Sequence, residues 1–588
     1  MKWDLTYLFP TLEAYEQAYK DTLALIDKLA SYKGKLHDEA SFREYYALQK
    51  AFQKTGLRVY QYASLLSDLN KKDTVNASRL QLVQIAYAKL QEATSFEEPE
   101  LISLGKEFVM AVVDKHPELA EFRFNFEKLF LRQEHILDDR SEALIANFNR
   151  LTRSGRELYS SLSVADIENQ DVMLDSGEIV QISNANYRAY IQKSASASER
   201  KDIFEAVFSY YEVHKHTYAN IYKTVLEADL ALMKARKYDT CLESYLFDNQ
   251  IPTSVYHSLC KVARNNTAPI KKYLKLRQEA LGLETYHTYD RFLELAKSNK
   301  EYEFKEAKEM FLKSIRKLPK AFQEKAASAI AEGFVDVYEA PGKRTGAYSS
   351  SMPDLHPFIL LNYSQTLADV FTLAHEAGHS LHSLYAAEKQ PATLQDYTIF
   401  VAEVASTFNE HNLLDDIIEG SNATREEKIM LLQRAIDDIL STFYRQTLFA
   451  IYEDEAHKLI ENGTPITADN LSKIMIDLYK EFYDLDIVKE EFKQYVWAYI
   501  PHFFYTPFYV YQYSTSFAAS LKLYEDVKHG AEGAFERYQG LLQSGGSDFP
   551  VKQLIKAGVD LTNEDAFLAV VNRMGELVDQ LEVVLQQK

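Results

Sequence analysis

Two histidines four residues apart, His375 and His379, are the residues of this chain best suited to metal chemistry. At about 100° per residue, positions i and i+4 lie on one face of a helix, so both imidazoles can reach one tetrahedral ion. Glu376 lies beside the first histidine, where a carboxylate can take a proton from zinc-bound water and pass it to a leaving amine. This spacing is typical of a zinc hydrolase. The alternative is a pair of surface or core histidines that share the spacing by chance.

The residues around this motif predict a helix that holds it. Thr366 followed by Asp369 is typical of a capping box, and apolar residues recur until Pro391, which forbids continuation. Both histidines therefore lie inside an element that can present them to one ion.

His382 is one candidate for the third zinc ligand. At 1.5 Å rise per residue it lies roughly 10 Å along the helix axis from His375, too far for both to bind one ion. We therefore interpret it as a packing residue or a hydrogen-bond partner of a ligand. The metzincin pattern, with a third histidine after a glycine turn, is absent.

Glu403 is the better candidate, because it lies in a largely apolar stretch. A metal ion removes the cost of burying a lone carboxylate. The alternative is a carboxylate on a partly exposed helix face. Glu410, seven residues further on, lies near the same face and could orient a ligating histidine, or be an ordinary surface glutamate.

A second informative segment, residues 494–521, contains no Asp, Glu, Lys or Arg. Its length would allow a membrane span, but two prolines and six tyrosines argue against one. Thr506 and Pro507 instead predict the N-cap and first residue of a helix.

That helix would place Tyr509 and Tyr513 on one face, with His502 in the turn before it. Phenols stay protonated at neutral pH and can donate to a developing oxyanion, as amide hydrolysis on zinc requires. Aromatic packing is the alternative role for each tyrosine.

A small sheet is predicted before the metal-binding helix. Its strand-like segments, 334–338 and 357–362, flank the candidate substrate-binding residues Gly346, Ala347 and Tyr348. Small residues let another backbone come close, so an extended peptide could pair with this edge. The alternative is a short edge strand closed off by its own loop.

The rest of the chain predicts a mainly helical fold. Of its 588 residues only 19 are Gly and 14 are Pro, and helix-like apolar spacing recurs. Helices are predicted over 13–32, 39–66, 78–94 and 138–162. The clearest hairpin spans 171–182, and we place a domain boundary after it, giving an N-terminal helical domain over 1–185 and a catalytic domain over 186–588.

Composition favours a cytoplasmic protein. The start of the chain has no apolar core of signal-peptide length, and two cysteines do not make a disulfide framework. A net charge of −20 without a basic stripe argues against nucleic acid and anionic membranes as partners. The oligomeric state is not predicted.

Four segments together resemble oligoendopeptidase F, a relative of thimet oligopeptidase. They are Asp369 to His382, Phe400 to Glu410, Gly346 to Ser349 and the opening Trp3-Asp4-Leu5. The resemblance runs over most of the chain and is most specific from about 334 to 520.

The resemblance implies one zinc ion per chain, ligated at the positions of His375, His379 and Glu403, with the general base at the position of Glu376. It further implies contacts to substrate and transition state from His502 and Tyr509. The implied architecture is two helical lobes around a deep substrate cleft, with a gluzincin-type HExxH helix beside the small sheet.

The expected function is therefore a zinc-dependent endopeptidase that cuts internal bonds of oligopeptides, with Glu376 as general base. Two alternatives stay open: a helical zinc carboxypeptidase, and a non-catalytic helical peptide-binding protein that keeps the motif.

Overall fold

The computed structural model describes residues 2–297, 300–420, 423–490 and 492–587. The helices of the N-terminal half are α1 (Leu12–Ala30), α2 (Glu39–Leu69), α3 (Thr74–Thr94), α4 (Glu97–Leu104), α5 (Lys106–Lys115), α6 (Arg123–Arg132), α7 (Asp139–Thr152), α8 (Ser154–Ser160), α9 (Tyr187–Lys193), α10 (Ala197–Val213), α11 (Lys215–Ala235), α12 (Cys241–Leu246), α13 (Thr253–Asn265) and α14 (Ala268–Ala280).

The helices of the C-terminal half are α15 (Phe304–Ser314), α16 (Lys320–Ala329), α17 (Leu367–Lys389), α18 (Ile399–Glu419), α19 (Arg425–Ile439), α20 (Arg445–Glu461), α21 (Ala468–Tyr483), α22 (Val496–Tyr499), α23 (His502–Tyr505), α24 (Tyr511–Lys528), α25 (Ala534–Leu542), α26 (Pro550–Ala557) and α27 (Asp565–Gln586). The predicted mainly helical class is confirmed. The predicted helix over 138–162 is broken between α7 and α8.

The strands form two small sheets. β1 (Gln170–Met173) and β2 (Ile179–Ile182) make the predicted hairpin, with Gly177 at φ +84° in its turn. β3 (Val335–Asp336), β4 (Tyr348–Ser350) and β5 (Phe358–Leu360) make a second sheet in the order β3-β5-β4. β5 runs parallel to β3 and antiparallel to β4, so β4 is an edge strand.

Packing groups the chain into two compact units. Unit 1 comprises Met1–Glu134, Asn299–Gly420 and Ala519–Val559, and unit 2 comprises His135–Ser298, Ser421–Ala518 and Asp560–Lys588. The segment boundaries of these units differ from the predicted domain boundary after residue 185, because each unit is built from segments that are distant in sequence. The cleft between lobes stays a prediction.

The opening residues of the chain are part of the core of unit 1. The Trp3 indole N–H donates to the carbonyl of Ile359 in β5 at 2.8 Å, and the Asp4 N–H donates to the carbonyl of Gly333 at 2.8 Å. Trp3 is buried in an apolar cluster with Phe358 and Leu360. The Trp3-Asp4-Leu5 motif therefore anchors the chain start on the sheet that precedes α17.

One predicted helix start is wrong. The helix expected from Thr506 begins at Tyr511, and Tyr509 lies in the loop before it. Phe508 has φ +52°, outside the helical region, and its N–H donates to Oε1 of the buried Glu453 carboxyl group at 3.1 Å. This long-range hydrogen bond overrides the local N-cap signal.

No helix in the described ranges is long and apolar enough to cross a membrane.

Candidate active site

The helix α17 carries the motif as predicted. The Asp369 N–H donates to Thr366 Oγ1 at 3.2 Å, and the Thr366 N–H donates back to the Asp369 carboxylate at 2.9 Å. This capping box satisfies two free donors at the helix start, and the helix ends at Lys389, before Pro391. The histidine pair therefore lies in the middle of a well-terminated helix.

The two histidines and Glu403 converge in unit 1. His375 Nε2 lies 3.2 Å from His379 Nε2, and Glu403 Oε2 lies 3.2 and 3.4 Å from these two nitrogens. Ligands of a tetrahedral zinc ion at about 2.0–2.1 Å lie about 3.3–3.4 Å apart, so the three atoms match one face of such a tetrahedron. The residues therefore fit a zinc ion and leave its fourth position open.

Close packing of α18 on α17 brings Glu403 to the histidines. A methyl group on Gly378 would lie 2.5 Å from the Ala405 carbonyl oxygen and from Ser406 Cα. The Asn409 amide also donates to the Ala374 carbonyl at 3.1 Å. Only a residue without a side chain at position 378 lets the two backbones approach this closely.

The charges around His375 favour a cation. His375 Nδ1 lies 2.5 Å from Glu410 Oε1, which is the carboxylate–histidine arrangement that orients a ligating nitrogen. Burial lowers the pKa of His375, but hydrogen bonds with Glu403 and Glu410 outweigh burial and hold it well above its ordinary value. Two carboxylates therefore favour positive charge at this point of the helix. Glu410 contacts His375 at Nδ1, and its orienting role stays a prediction.

Glu403 is held as a carboxylate. Burial raises the pKa of Glu403, but hydrogen bonds with His375 and His379 outweigh burial and hold it well below its ordinary value. The Ser406 hydroxyl also donates to Glu403 Oε2 at 2.8 Å. An ionised oxygen is the form that binds a metal ion.

Glu376 is the buried acidic group next to this cluster. It is only 6% exposed, and its Oε2 has no hydrogen-bond partner. Burial raises its pKa, and the charges of His375 and His379, with a backbone hydrogen bond from Ser349, only partly offset this rise. An unpartnered buried oxygen of this kind is costly in a structural role and is common at reactive sites.

His382 packs away from the cluster of His375, His379 and Glu403, as its position along the helix predicts. Its ring stacks on Tyr397 with centroids 3.5 Å apart, and it is 1% exposed. Burial lowers its pKa to about 3. It is therefore a neutral core residue.

The candidate substrate-binding residues Gly346, Ala347 and Tyr348 differ in whether their backbone and side-chain groups already have partners within the protein. The N–H groups of Ile359 and Leu361 donate to carbonyls on the β3 side of β5. Because successive backbone groups of a strand point to opposite sides, those of Leu360 point toward β4, where Tyr348 lies opposite. The backbone groups of Tyr348 are therefore used in the pairing with β5. The Tyr348 hydroxyl donates to Asp68 at 2.7 Å.

The backbone groups on the outer side of β4 are the ones that a peptide could reach. The Gly346 carbonyl accepts from the Asn362 amide at 2.7 Å. By the same alternation, the backbone groups of Ala347 and Ser349 point away from β5. Of the three predicted residues, Ala347 is the one whose position leaves backbone groups to pair with a peptide.

His502, Tyr509 and Tyr513 lie together in unit 2. The rings of His502 and Tyr509 are parallel within 10°, with centroids 6.0 Å apart, and Tyr513 lies 5.5 Å from Tyr509 at 80°. Burial lowers the pKa of His502, so it is neutral at pH 7 and keeps one N–H to donate. The structure brings these predicted residues into one aromatic group.

Sequence reasoning missed the residues that support the cluster from α18. Ser406 and Asn409 act through hydrogen bonds, and Gly378 acts through its lack of a side chain. The glycine inside the motif was the one visible signal, since glycine in a helix interior is costly without a packing reason.

Comparisons with known proteins agree with the resemblance to oligoendopeptidase F. The model of peptidase family M3 matches residues 190–573, and a model described as Oligopeptidase F matches residues 100–168. Group B oligopeptidase PepB of Streptococcus agalactiae serotype III is 33% identical, over 99% of this chain and 96% of that protein.

Solved structures share the whole fold. A crystal structure from Chlamydophila abortus has a TM-score of 0.90 and 31% identity, covering 99% of this chain and 98% of that one. Oligoendopeptidase-F from Enterococcus faecium has a TM-score of 0.76 and 25% identity, covering 98% and 99%. With a family model that matches most of the chain and a relative aligned over nearly its full length, the chain belongs to peptidase family M3 and is a metallo-endopeptidase.

Proposed function

We propose that this enzyme is a zinc-dependent endopeptidase that hydrolyses internal peptide bonds of oligopeptides. The observation that carries the proposal is the triangle of His375 Nε2, His379 Nε2 and Glu403 Oε2, with edges of 3.2, 3.2 and 3.4 Å. Two imidazole nitrogens and one carboxylate oxygen are a ligand set that zinc prefers in hydrolytic sites.

The proposal gives each residue of the motif one task. His375, His379 and Glu403 hold the ion, and Glu410 orients His375 through Nδ1. When bound, zinc acts as a Lewis acid toward water and the scissile carbonyl. Glu376 accepts a proton at Oε2 from the attacking water and delivers it to the nitrogen of the leaving amine. The buried, unpartnered state of this oxygen supports that role.

The proposal assigns His502 and Tyr509 to the developing oxyanion as hydrogen-bond donors. Neutral imidazole and phenol both carry a proton to donate at pH 7. Their stacked rings support this assignment, because stacking fixes the direction of each donor. Tyr513 packs against Tyr509 and is proposed as a substrate contact.

Metal content and turnover test the proposal together. We expect about one zinc per chain and loss of peptide hydrolysis on chelation, restored by added zinc. His379→Ala should lose the metal, whereas His382→Phe, one turn further along α17, should keep it. Full activity after demonstrated removal of the metal would overturn the proposal.

Glu376→Gln separates metal binding from chemistry. The variant keeps nearly the same shape and should retain zinc, but turnover should fall by at least ~10²-fold, because the amide cannot accept the proton. A near wild-type rate would mean that another group is the base.

Peptides blocked at both ends distinguish endopeptidase from carboxypeptidase activity. An endopeptidase still cuts them, whereas a carboxypeptidase requires a free carboxyl terminus. A series of blocked, unstructured peptides of graded length, compared with a large unfolded protein and a stable folded domain, tests the preference for oligopeptides. Equal rates on the large unfolded protein and on the short peptides would show that the enzyme is a general protease and not an oligopeptidase.

A further inference from the structure

A cavity of about 270 Å³ lies within unit 2 and shares no residue with the metal-binding cluster. Four cationic side chains line it: Arg188, Arg291, Arg445 and Lys493. They come from separate parts of the chain, since Arg188 lies on α9 and Arg445 begins α20, while Arg291 and Lys493 lie in 3-10 turns. In a chain of net charge −20, this convergence of positive charge requires an explanation.

In the described ranges none of the four side chains forms an ion pair with a carboxylate within 4.0 Å, although Glu490 acts on Lys493 at longer range. Arg188 donates to the Tyr499 hydroxyl at 3.0 Å, and the Arg445 guanidinium packs over the Phe449 ring at 5.0 Å. Arg445 Nε is buried without a hydrogen-bond partner. A buried donor without a partner is destabilising, and a bound acceptor would remove that cost.

The acidic groups at this cavity already have other partners. Asp437 accepts from the Tyr273 hydroxyl at 2.7 Å, and Asp438 pairs with Arg434 at 3.7 Å. Glu490, near Lys493, accepts from the backbone N–H and the hydroxyl of Thr288 at 2.7 and 2.6 Å. The cavity lining therefore carries four basic side chains against two acidic ones.

Arg291 acts on the ionisation of two groups near the cavity, Lys493 and Tyr187. Lys493 is 7% exposed and lies over the rings of Phe208 and Tyr479 at 5.1 and 5.4 Å. Burial holds the pKa of Lys493 well below its ordinary value, and Arg291 lowers it further. Burial raises the pKa of Tyr187, but Arg188 and Arg291 outweigh burial and lower it.

The backbone at the cavity is also irregular. Leu440 and Ser441 line it and belong to a π-helical turn, Leu440–Tyr444, inserted between α19 and α20. This turn directly precedes Arg445. Single π-helical turns interrupt α-helices frequently at functional sites.

We propose that this cavity binds a small organophosphate, a phosphate monoester carried on a body of about the size of a sugar. A phosphate monoester carries about −1.5 to −2 charges at pH 7, and arginine forks bind its oxygens in pairs. A single peptide carboxylate would leave most of the four cations unmatched. The volume is slightly below that of pockets for drug-sized ligands, and the Phe292 and Tyr483 rings in the lining can cover the organic part.

Calorimetric titration of the full-length, zinc-loaded protein with ribose 5-phosphate tests the proposal. Three other ligands serve as controls. Ribose has the organic body but no phosphate, inorganic phosphate has the charge but no organic body, and succinate is a dianion with carboxylates in place of phosphate. We expect ribose 5-phosphate to bind at least tenfold more tightly than each of these three. Equal or tighter binding of succinate would mean that the cavity binds carboxylates and would contradict the proposal. Equal binding of inorganic phosphate would contradict the part of the proposal that concerns the organic body. No binding of ribose 5-phosphate at 10 mM would mean that the cavity is not an organophosphate site.

Arg291→Gln and Arg445→Gln locate the site. Each should weaken ribose 5-phosphate binding at least tenfold, and Lys473→Gln, which removes the same charge from a 74% exposed position on α21, should change it less than twofold. Arg291 is partly exposed, so this variant serves if Arg445→Gln does not fold. Unchanged affinity in folded Arg291→Gln would place the ligand elsewhere and overturn the proposal.

Discussion

Gly378 on α17 lies so close to Ser406 on α18 that a methyl group on the glycine would be 2.5 Å from Ser406 Cα. The same approach places Glu403, three residues before Ser406, beside the two histidines of α17. The distance between these helices therefore sets the distance from Glu403 to the two histidines.

Gly378→Ala should destabilise the protein and weaken zinc binding. The added methyl group meets backbone atoms, which cannot rotate away, so α17 and α18 must separate at a cost of about 1–3 kcal/mol. Gly540→Ala on α25 is the matched control, because nothing lies within 4 Å of a methyl group there. Urea unfolding and zinc titration measure both effects, and equal behaviour of the two variants would contradict this account.

Glu410→Gln should lower zinc affinity by about 10–100-fold without removing a ligand. The amide retains an acceptor for His375 Nδ1 but loses the negative charge that makes the imidazole a stronger ligand. Competition with a zinc chelator measures the affinity. Glu419→Gln, near the end of the same helix and 52% exposed, should leave it unchanged. If both variants bind zinc like the native enzyme, Glu410 is an ordinary surface glutamate.

His382 should make stability depend on pH. It is neutral when folded, since burial lowers its pKa to about 3, whereas an unfolded histidine has a pKa of about 6.5. Its contribution is therefore fully present above pH 6.5 and decreases as the pH falls toward 3. At pH 5.0 the loss is about 2 kcal/mol.

His382→Phe keeps the stacking on Tyr397 and removes the titration. The free energy of unfolding of the variant, relative to the native enzyme, should rise by about 2 kcal/mol between pH 7.5 and pH 5.0. Other titrating groups are shared by both proteins and cancel in this difference. Urea unfolding at the two pH values measures it, with His529→Gln at an exposed position as control. A difference that does not change with pH would contradict the buried, neutral state.

The parts of this structure that local sequence could predict are those fixed by short-range rules. The capping box at Thr366, the stop before Pro391 and the hairpin turn at Gly177 each depend on residues within one turn. The spacing of His375 and His379 is likewise local, because the helix period sets it.

What sequence reasoning missed depends on contacts between distant segments. The assembly of each unit from segments distant in sequence and the close approach at Gly378 are properties of packing. The start of α24 is set by Glu453, which lies more than 50 residues from Phe508 in sequence but accepts its N–H. No local pattern contains that hydrogen bond, so the N-cap signal at Thr506 was misleading.

Glu453 should position Tyr509 through Phe508. A non-glycine residue at φ +52° costs about 1–2 kcal/mol, and the hydrogen bond from its N–H to Glu453 Oε1 at 3.1 Å stabilises this conformation. Burial holds the pKa of Glu453 well above its ordinary value, which favours the protonated acid, and the carbonyl oxygen of that form can accept the N–H. Tyr509 follows directly and stacks on His502.

Glu453→Gln and Glu453→Leu form a matched pair that tests this relationship. The amide keeps a carbonyl acceptor and should retain turnover within a few-fold, whereas leucine removes it and should lower turnover by about 10–100-fold, because the Tyr509 hydroxyl is displaced. Zinc content should be unchanged in both variants. Adding Tyr509→Phe to the Glu453→Leu variant should then cause little further loss, since the two changes act on one interaction. If Glu453→Leu keeps native turnover while Tyr509→Phe alone does not, Glu453 supports the fold without positioning the tyrosine.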